Sequence, residues 1–173
     1  MPNPQLDAID RRIIAELQAD ARLTNVELAE RVGLSPSPCL RRVKRLAADG
    51  CIAGYRAVLQ RNRIGLGLTV FLAVKIDRHA NDSALDFESV VTAMPEVVAC
   101  HLVAGEADYL LEVVVPDMER YQQFLVAKLL GAPIVRDVRS SIAIQTLKAD
   151  APLPLSHFDP DGLSRSRRRT GAC

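Results

Sequence analysis

"TNVELAERVGLSPSPCLRRVKRL", residues 24–46, begins with a Thr-x-x-Glu box, crosses a glycine and two Ser-Pro pairs, and ends with four positive charges among five residues. Thr24 and Glu27 cap each other's backbone reciprocally at a helix start, Leu28 and Val32 share a face, and Gly33 supplies the stop. The helix is therefore only about two turns long. Beyond it, either serine can cap the next helix. With Ser35 as cap, Pro36 takes the first helical position and Pro38 the third, where the missing N–H is one the helix could not use. With Ser37 as cap, Pro38 comes first. The Ser35 register leaves a turn of about three residues, the length of a helix-turn-helix connection, and is the one adopted.

On this third helix Leu40, Val43, Leu46 and Ala47 fall on one side, which is expected to be the inner one. Ser37, Pro38, Arg41, Arg42 and Arg45 fall on the other, with Lys44 at the flank. A solvated basic face is the ordinary reading of such a helix. Here no acid is interleaved before Asp49, and the helix follows a short capped one across a glycine turn. A protruding basic helix of this diameter fits the DNA major groove. Ser35, Ser37, Pro38, Arg41, Arg42, Lys44 and Arg45 are the candidate DNA-contacting residues.

Upstream, "LDAIDRRIIAEL" carries Asp7 and, three residues later, Asp10, followed by the stripe Ile9, Ile13, Leu17, an amphipathic helix opened by an acidic cap. Downstream, Gly50 ends the third helix and residues 51–59 read as a short strand. Arg56, Arg61 and Arg63 then suit either phosphate contacts or a plain basic linker.

From residue 68 the pattern changes. "LTVFLAVKI" (68–76) is an apolar strand, 83–94 has helical spacing through Phe87, Val90, Val91 and Met94, and "VVACHLV" (97–103) and "YLLEVVV" (109–115) are strands joined by "AGEAD". A second helix starts at Asp117 with Tyr121, Phe124, Leu125 and Leu129 inside, and a last strand spans about Val135 to Lys148. The order βαββαβ is the ferredoxin-like split βαβ, an antiparallel sheet with both helices on one face. Its other face is too apolar for water, and a partner subunit is the expected cover. Glu106 and Asp108 set two carboxylates on one short turn, either a polar hairpin or a binding loop.

Composition limits the remaining possibilities. The net charge is only +1, but residues 1–63 hold 11 Lys and Arg against 7 Asp and Glu, and residues 64–150 hold 7 against 12. A polyanion site must therefore come from the basic head. Cysteines 39, 51, 100 and 173 and histidines 79, 101 and 157 lack metal or disulfide spacing, so no metal site is expected. No nucleophile–base pair is recognised, so no catalytic residue is expected. No run reaches the roughly 20 apolar residues of a membrane span, so a soluble cytoplasmic protein is expected. The expected divisions are 1–59, a linker over 60–67, 68–150, and a disordered basic tail over 151–173.

Taken jointly, "LDAIDRRIIAELQADAR", "ELAERVGLSPSPCLRRVKRL", "GCIAGYRAVL" and "GEADYLLEVVVPD" followed by "VRSS" resemble the Lrp/AsnC family of transcription regulators over about residues 6–148. The resemblance implies an α+β chain with an N-terminal winged helix-turn-helix and a C-terminal domain that dimerises and assembles into octamers or other higher oligomers. It implies double-stranded DNA with a palindromic site as partner, no cofactor, and a small amino acid as effector held between subunits. Gly105, Asp108 and Tyr109 match the family's G-x-x-D-Y segment, Ser140 and Ser141 match polar last-strand positions expected to face the same cleft, and backbone N–H groups of Ala104 to Ala107, including Glu106, are expected carboxylate donors. Asp108 is the expected ammonium acceptor. Pro133, Ile134 and Val135 stand where many relatives carry Pro-Gly-Val. An effector-independent architectural DNA-binding protein is the main alternative. An enzyme is the second alternative, since some tetrapyrrole-pathway decarboxylases resemble this family in both domains, but no histidine here sits in an arginine-rich substrate motif.

Overall fold

The computed structural model describes residues 6–77 and 83–158. His79, Cys173 and the tail beyond Phe158 lie outside the described residues. The chain divides into two compact units, one formed by residues up to Ala57 together with those from Lys148, the other by Val58–Leu147.

The first unit has three helices, α1 (Ala8–Ala19), α2 (Asn25–Val32) and α3 (Pro36–Ala48). Asp7 caps α1 in a reciprocal box with Asp10, and Thr24 does the same for α2 with Glu27. Gly33 ends α2 at φ 75°, a left-handed conformation that costs a residue with a Cβ about 1–2 kcal/mol. α3 starts at Pro36, so Ser35 is its cap residue and the shorter turn is the one used. Ile13, Leu28, Ala29, Val32, Cys39 and Leu46 form the core of this unit, with Ile9, Leu17 and Val43 half-buried against it.

Three expectations here are corrected. Leu40, placed inside, is 42% exposed, while Cys39 is fully buried. The inner stripe is therefore turned toward Cys39, whose thiol burial pushes above its ordinary range. The strand expected at 51–59 does not form: residues 53–59 are exposed and lack a ladder, so their backbone has no neighbour to pair with. The tail expected from 151 does not start there. Gln18 on α1 receives the Leu153 N–H at 2.6 Å and donates to the Leu153 carbonyl at 3.3 Å, and Arg11 donates to the Phe158 carbonyl at 2.8 Å.

The second unit is a four-stranded antiparallel sheet in the order β2-β3-β1-β4, from β1 (Leu68–Ile76), β2 (Val97–Leu102), β3 (Tyr109–Val115) and β4 (Val135–Ile142). α4 (Ser83–Thr92) and α5 (Met118–Gln123), which runs on as a π-helix over Phe124–Leu129, complete the split βαβ. Gly131 follows that wide turn so closely that a Cβ there would lie 2.9 Å from the Ala127 carbonyl oxygen. The alternation of β1 and β3 puts Val70, Leu72, Val74, Leu111 and Val113 in the core with Phe87, Val91, Tyr121, Phe124 and Leu129. β4 ends at Ile142 rather than near Lys148, because residues beyond Ala143 find no partner on β1.

On the opposite face Phe71, Ala73, Leu110 and Glu112 stand in register. Phe71 and Leu110 are 40% and 38% exposed. Arg61 reaches the same face, donating to Glu112 at 2.7 Å and to Thr69 at 3.3 Å, so its guanidinium is engaged within its own unit.

Leu72→Ala should lower the stability of this unit by about 2–5 kcal/mol, since Leu72 is fully buried at the sheet centre. Denaturant unfolding followed by circular dichroism measures it, and a loss under about 1 kcal/mol would contradict this packing.

Candidate functional site

The arginines of α3 separate into two groups. Arg42 donates from one guanidinium nitrogen, Nη1, to both Asp7 (2.6 Å) and Asp10 (2.8 Å), and Arg45 donates to the other oxygen of Asp10 at 2.5 Å. Asp10 is 1% exposed, so its carboxylate requires compensation within the protein. Two guanidinium groups from α3 supply it. Local sequence assigns Asp10 only to the cap of α1 and offers no acid on α3 to oppose its charge; the opposing acids come from α1. Arg42 and Arg45, expected to face DNA, are thus both tied to Asp10, Arg42 with 25% of its side chain exposed and Arg45 still exposed at 51%.

Ser37, Leu40, Arg41 and Lys44 are exposed and recur at helical spacing, forming the outer stripe of α3. Arg41, Lys44 and Ser37 have no side-chain bond among the described residues. Ser35 makes no side-chain cap bond, and Pro38 is half-buried. The carbonyl of Pro36 accepts from the Asn25 amide at 2.8 Å, which ties the start of α3 to the start of α2.

The second set of candidates lies at the β2–β3 turn. Ala104, Gly105 and Glu106 are exposed and Ala107 half-buried, with Gly105 at φ 145°. Asp108 donates its N–H to the Val74 carbonyl, and its carboxylate accepts the Ile76 N–H at 3.0 Å. It therefore joins the turn to β1 through its backbone N–H and one carboxylate oxygen. Tyr109 is buried, its ring 4.6 Å from Phe87 and its hydroxyl donating to Glu88 at 3.2 Å. Ser140 points to the helices, where its hydroxyl meets that of Tyr121 at 2.5 Å, whereas Ser141 stands opposite Phe71 on the open face. Strand alternation puts the two serines on opposite sides, so they do not share a cleft. The Pro133–Val135 turn is closed by Val135 N–H to Ala132 at 3.0 Å, and Ile134 accepts from Asp77 at 2.9 Å.

Arg139, absent from the sequence candidates, donates to Glu106 at 2.8 Å, with exposures of 66% and 82%. It shares β4 with Arg136, which is also exposed, and neither belongs to a motif, which is why the sequence does not single it out. A cleft of about 440 Å³ opens at the other end of β3, between Leu66, Val98, Val114, Glu96, Arg120 and Lys128. It involves none of the expected effector residues. Among the described residues no group of His, Cys, Asp or Glu is arranged to hold a metal ion, and no helix is long and apolar enough to cross a membrane.

Residues 6–53 match the winged helix-turn-helix DNA-binding family and residues 69–153 the Lrp/AsnC ligand binding domain. The leucine-responsive regulatory protein of Klebsiella pneumoniae is 46% identical over 147 residues, covering 85% of this chain and 90% of the relative. A transcriptional regulator of Neisseria meningitidis, solved as a complex with L-Met, superposes with a TM-score of 0.85 at 44% identity over 88% of this chain and 99% of its own. An AsnC family transcriptional regulator of Agrobacterium tumefaciens gives 0.82 at 36% identity, covering 87% and 98%.

The α1–α3 ion pairs have two measurable consequences. Arg42→Ala should cost about 1.5–3 kcal/mol, the range for hydrogen bonds to a charged group, while Arg41→Ala should stay within about 0.5. Thermal unfolding of both variants checks the difference, and equal effects would contradict the division. The Asp10 backbone N–H, and after it the Arg42 guanidinium, hold the Asp7 carboxyl below its usual range. Its contribution is therefore complete above the unfolded value near 4 and fades as pH falls through the lower folded value. Asp7→Ala should cost about 0.5–2 kcal/mol at pH 7, and urea melts should show that gap shrinking below about pH 4.

Proposed function

Since the chain belongs to the Lrp/AsnC family of DNA-binding transcriptional regulators, we propose that α3 enters the major groove with its outer stripe, Ser37, Leu40, Arg41 and Lys44, against the DNA. The family is one of regulators rather than enzymes. The observation that carries the reading is the contrast on α3: Arg42 and Arg45 are engaged by Asp10, while Arg41 and Lys44 remain exposed. Arg41 and Lys44 suit base edges or phosphates, and Leu40 suits a thymine methyl. Ser35, Pro38 and Arg42 then orient the helix, and Arg45 offers its exposed half to a phosphate. The chain acts in the cytoplasm on double-stranded DNA.

The open sheet face supports self-association. Phe71, Ala73 and Leu110 form an apolar strip that a second copy would cover, so that a symmetric dimer presents two α3 helices to a palindromic site with half-sites about 10 bp or a multiple apart. Higher oligomers, octamers included, would assemble from such dimers. A small amino acid would bind at the β2–β3 turn where copies meet, its ammonium on Glu106 and its carboxylate on Arg139 and the N–H groups of 104–107. Asp108 holds that turn, and Ser141, not Ser140, faces its side. The L-Met complex of the Neisseria regulator makes methionine the first amino acid to try, and the leucine-responsive relatives make leucine the second.

Arg41→Ala should weaken promoter binding and lower the salt slope by about one. Electrophoretic shifts at several salt concentrations test it; an unchanged slope in an Arg41→Ala, Lys44→Ala protein would overturn the assignment. Phe71→Glu should convert the assembly to monomers by light scattering. A thermal-shift screen of amino acids should show a stabilising ligand whose effect Arg139→Ala abolishes.

A further inference from the structure

The cleft at the end of β3 away from the β2–β3 turn takes no part in the proposed effector site. Its volume of about 440 Å³ lies within the roughly 300–1,000 Å³ usual for a small-molecule site. Leu66, Val98, Val114, Phe124 and Ala127 give it an apolar wall, and Glu96, Arg120, Gln123 and Lys128 bring the polar groups. A mostly apolar wall with a few converging polar groups is the composition that holds and orients a small ligand. Backbone bonds brace this wall. The Val114 N–H donates to the Glu96 carbonyl at 2.9 Å, and the Gly67 N–H, beside Leu66, donates to the Pro116 carbonyl at 3.2 Å. Phe124, Ala127 and Lys128 all lie on the π-helix, a rare form that recurs at functional sites.

The polar groups of the cleft are unevenly satisfied. Lys128 donates to Oε1 of Glu96 at 2.5 Å, while Oε2 of Glu96 is buried and has no hydrogen-bond partner among the described residues. A buried carboxylate oxygen without a donor is costly, so this one is suited to accept from a ligand. Arg120 donates from Nη1 to the Gln123 side chain at 3.1 Å, and among the described residues the rest of its guanidinium makes no bond. The open edge of a guanidinium matches a carboxylate. Charge then narrows the choice of ligand. Arg120 and Lys128 against Glu96 leave the cleft with one positive charge in excess, whereas Glu106 and Arg139 at the β2–β3 turn balance each other. A zwitterion suits the balanced pair, and a monoanion suits the cleft. From these observations we propose that the cleft binds a small aliphatic α-hydroxy acid, its carboxylate on Arg120, its hydroxyl donating to Glu96 and its hydrocarbon chain against Val98, Val114 and Phe124.

This site does not depend on the effector site at the β2–β3 turn, and the experiment keeps the two apart. Isothermal calorimetry of the full-length protein should show binding of α-hydroxyisocaproate. Isocaproate, which lacks only the hydroxyl, should bind about 10-fold more weakly, as expected for one lost hydrogen bond to a charged group. Arg120→Gln should weaken α-hydroxyisocaproate at least about 10-fold. Ala127→Phe, which fills the cleft from an exposed position, should abolish binding with the circular dichroism unchanged. Arg139→Ala should leave the affinity as it is. No binding of α-hydroxyisocaproate by the unaltered chain overturns the proposal. Binding lost in Arg139→Ala but kept in Arg120→Gln puts the ligand at the turn and overturns the site. Equal affinity for isocaproate overturns the role given to Glu96, and leucine held as tightly through Arg120 overturns the choice of a monoanion.

Discussion

A carboxylate with 1% exposure is costly to bury unless partners compensate it, and Asp10 finds its partners on another helix. It takes one guanidinium from Arg42 and one from Arg45, and shares the first with Asp7. Removing either arginine would leave charge stranded in a low-dielectric site, so the register and rotation of α3 relative to α1 are set by this triad as much as by the apolar residues below it. The apolar contact alone is small: Cys39, Val43 and Leu46 are the inner residues of α3. Directional bonds to Asp10 add what such a narrow stripe cannot, a unique rotation of the helix about its axis. That rotation decides which side chains reach outward.

The same rotation marks the limit of what is legible in the sequence. Capping boxes at Asp7 and Thr24, the left-handed Gly33 and the start of α3 at Ser35 are legible because each depends on neighbours within a few residues. The strands of the second unit are legible for a similar reason, since alternation over 68–76 and 109–115 is local. The face of α3 is not. Leu40 outranks Cys39 in any apolar count, and only the placement of α1, some 30 residues earlier in the chain, turns Cys39 inward and gives Arg42 and Arg45 their acids. The strand expected at 51–59 fails for the converse reason: its residues have strand character, but a strand exists only where another offers a ladder.

In the β2–β3 turn, the residues of the motif serve the loop itself. Asp108 and Tyr109 stand where the family pattern puts them, yet one carboxylate oxygen of Asp108 receives the Ile76 N–H and the Tyr109 ring packs on Phe87. These are the residues that hold the loop's shape. The exposed charged pair beside the loop, Glu106 and Arg139, comes from sequence positions 33 apart and is joined only by the sheet. A pattern of residues records the shape of such a loop more readily than the pairs formed across the sheet, because the first is local and the second is not.

The clasp between α1 and residues 153–158 also bears on the order in which the chain acquires its structure. Its bonds join residues 135 and 147 positions apart, whereas the α1–α3 pairs span 32 to 35. Closing the longer loop costs more entropy, and during synthesis it has to wait until residues 153–158 have been made. The three helices can pack while the sheet is still being translated. The clasp therefore becomes available to the nascent chain later than the α1–α3 contacts, and among the described residues it completes the first unit only after the second has been synthesised.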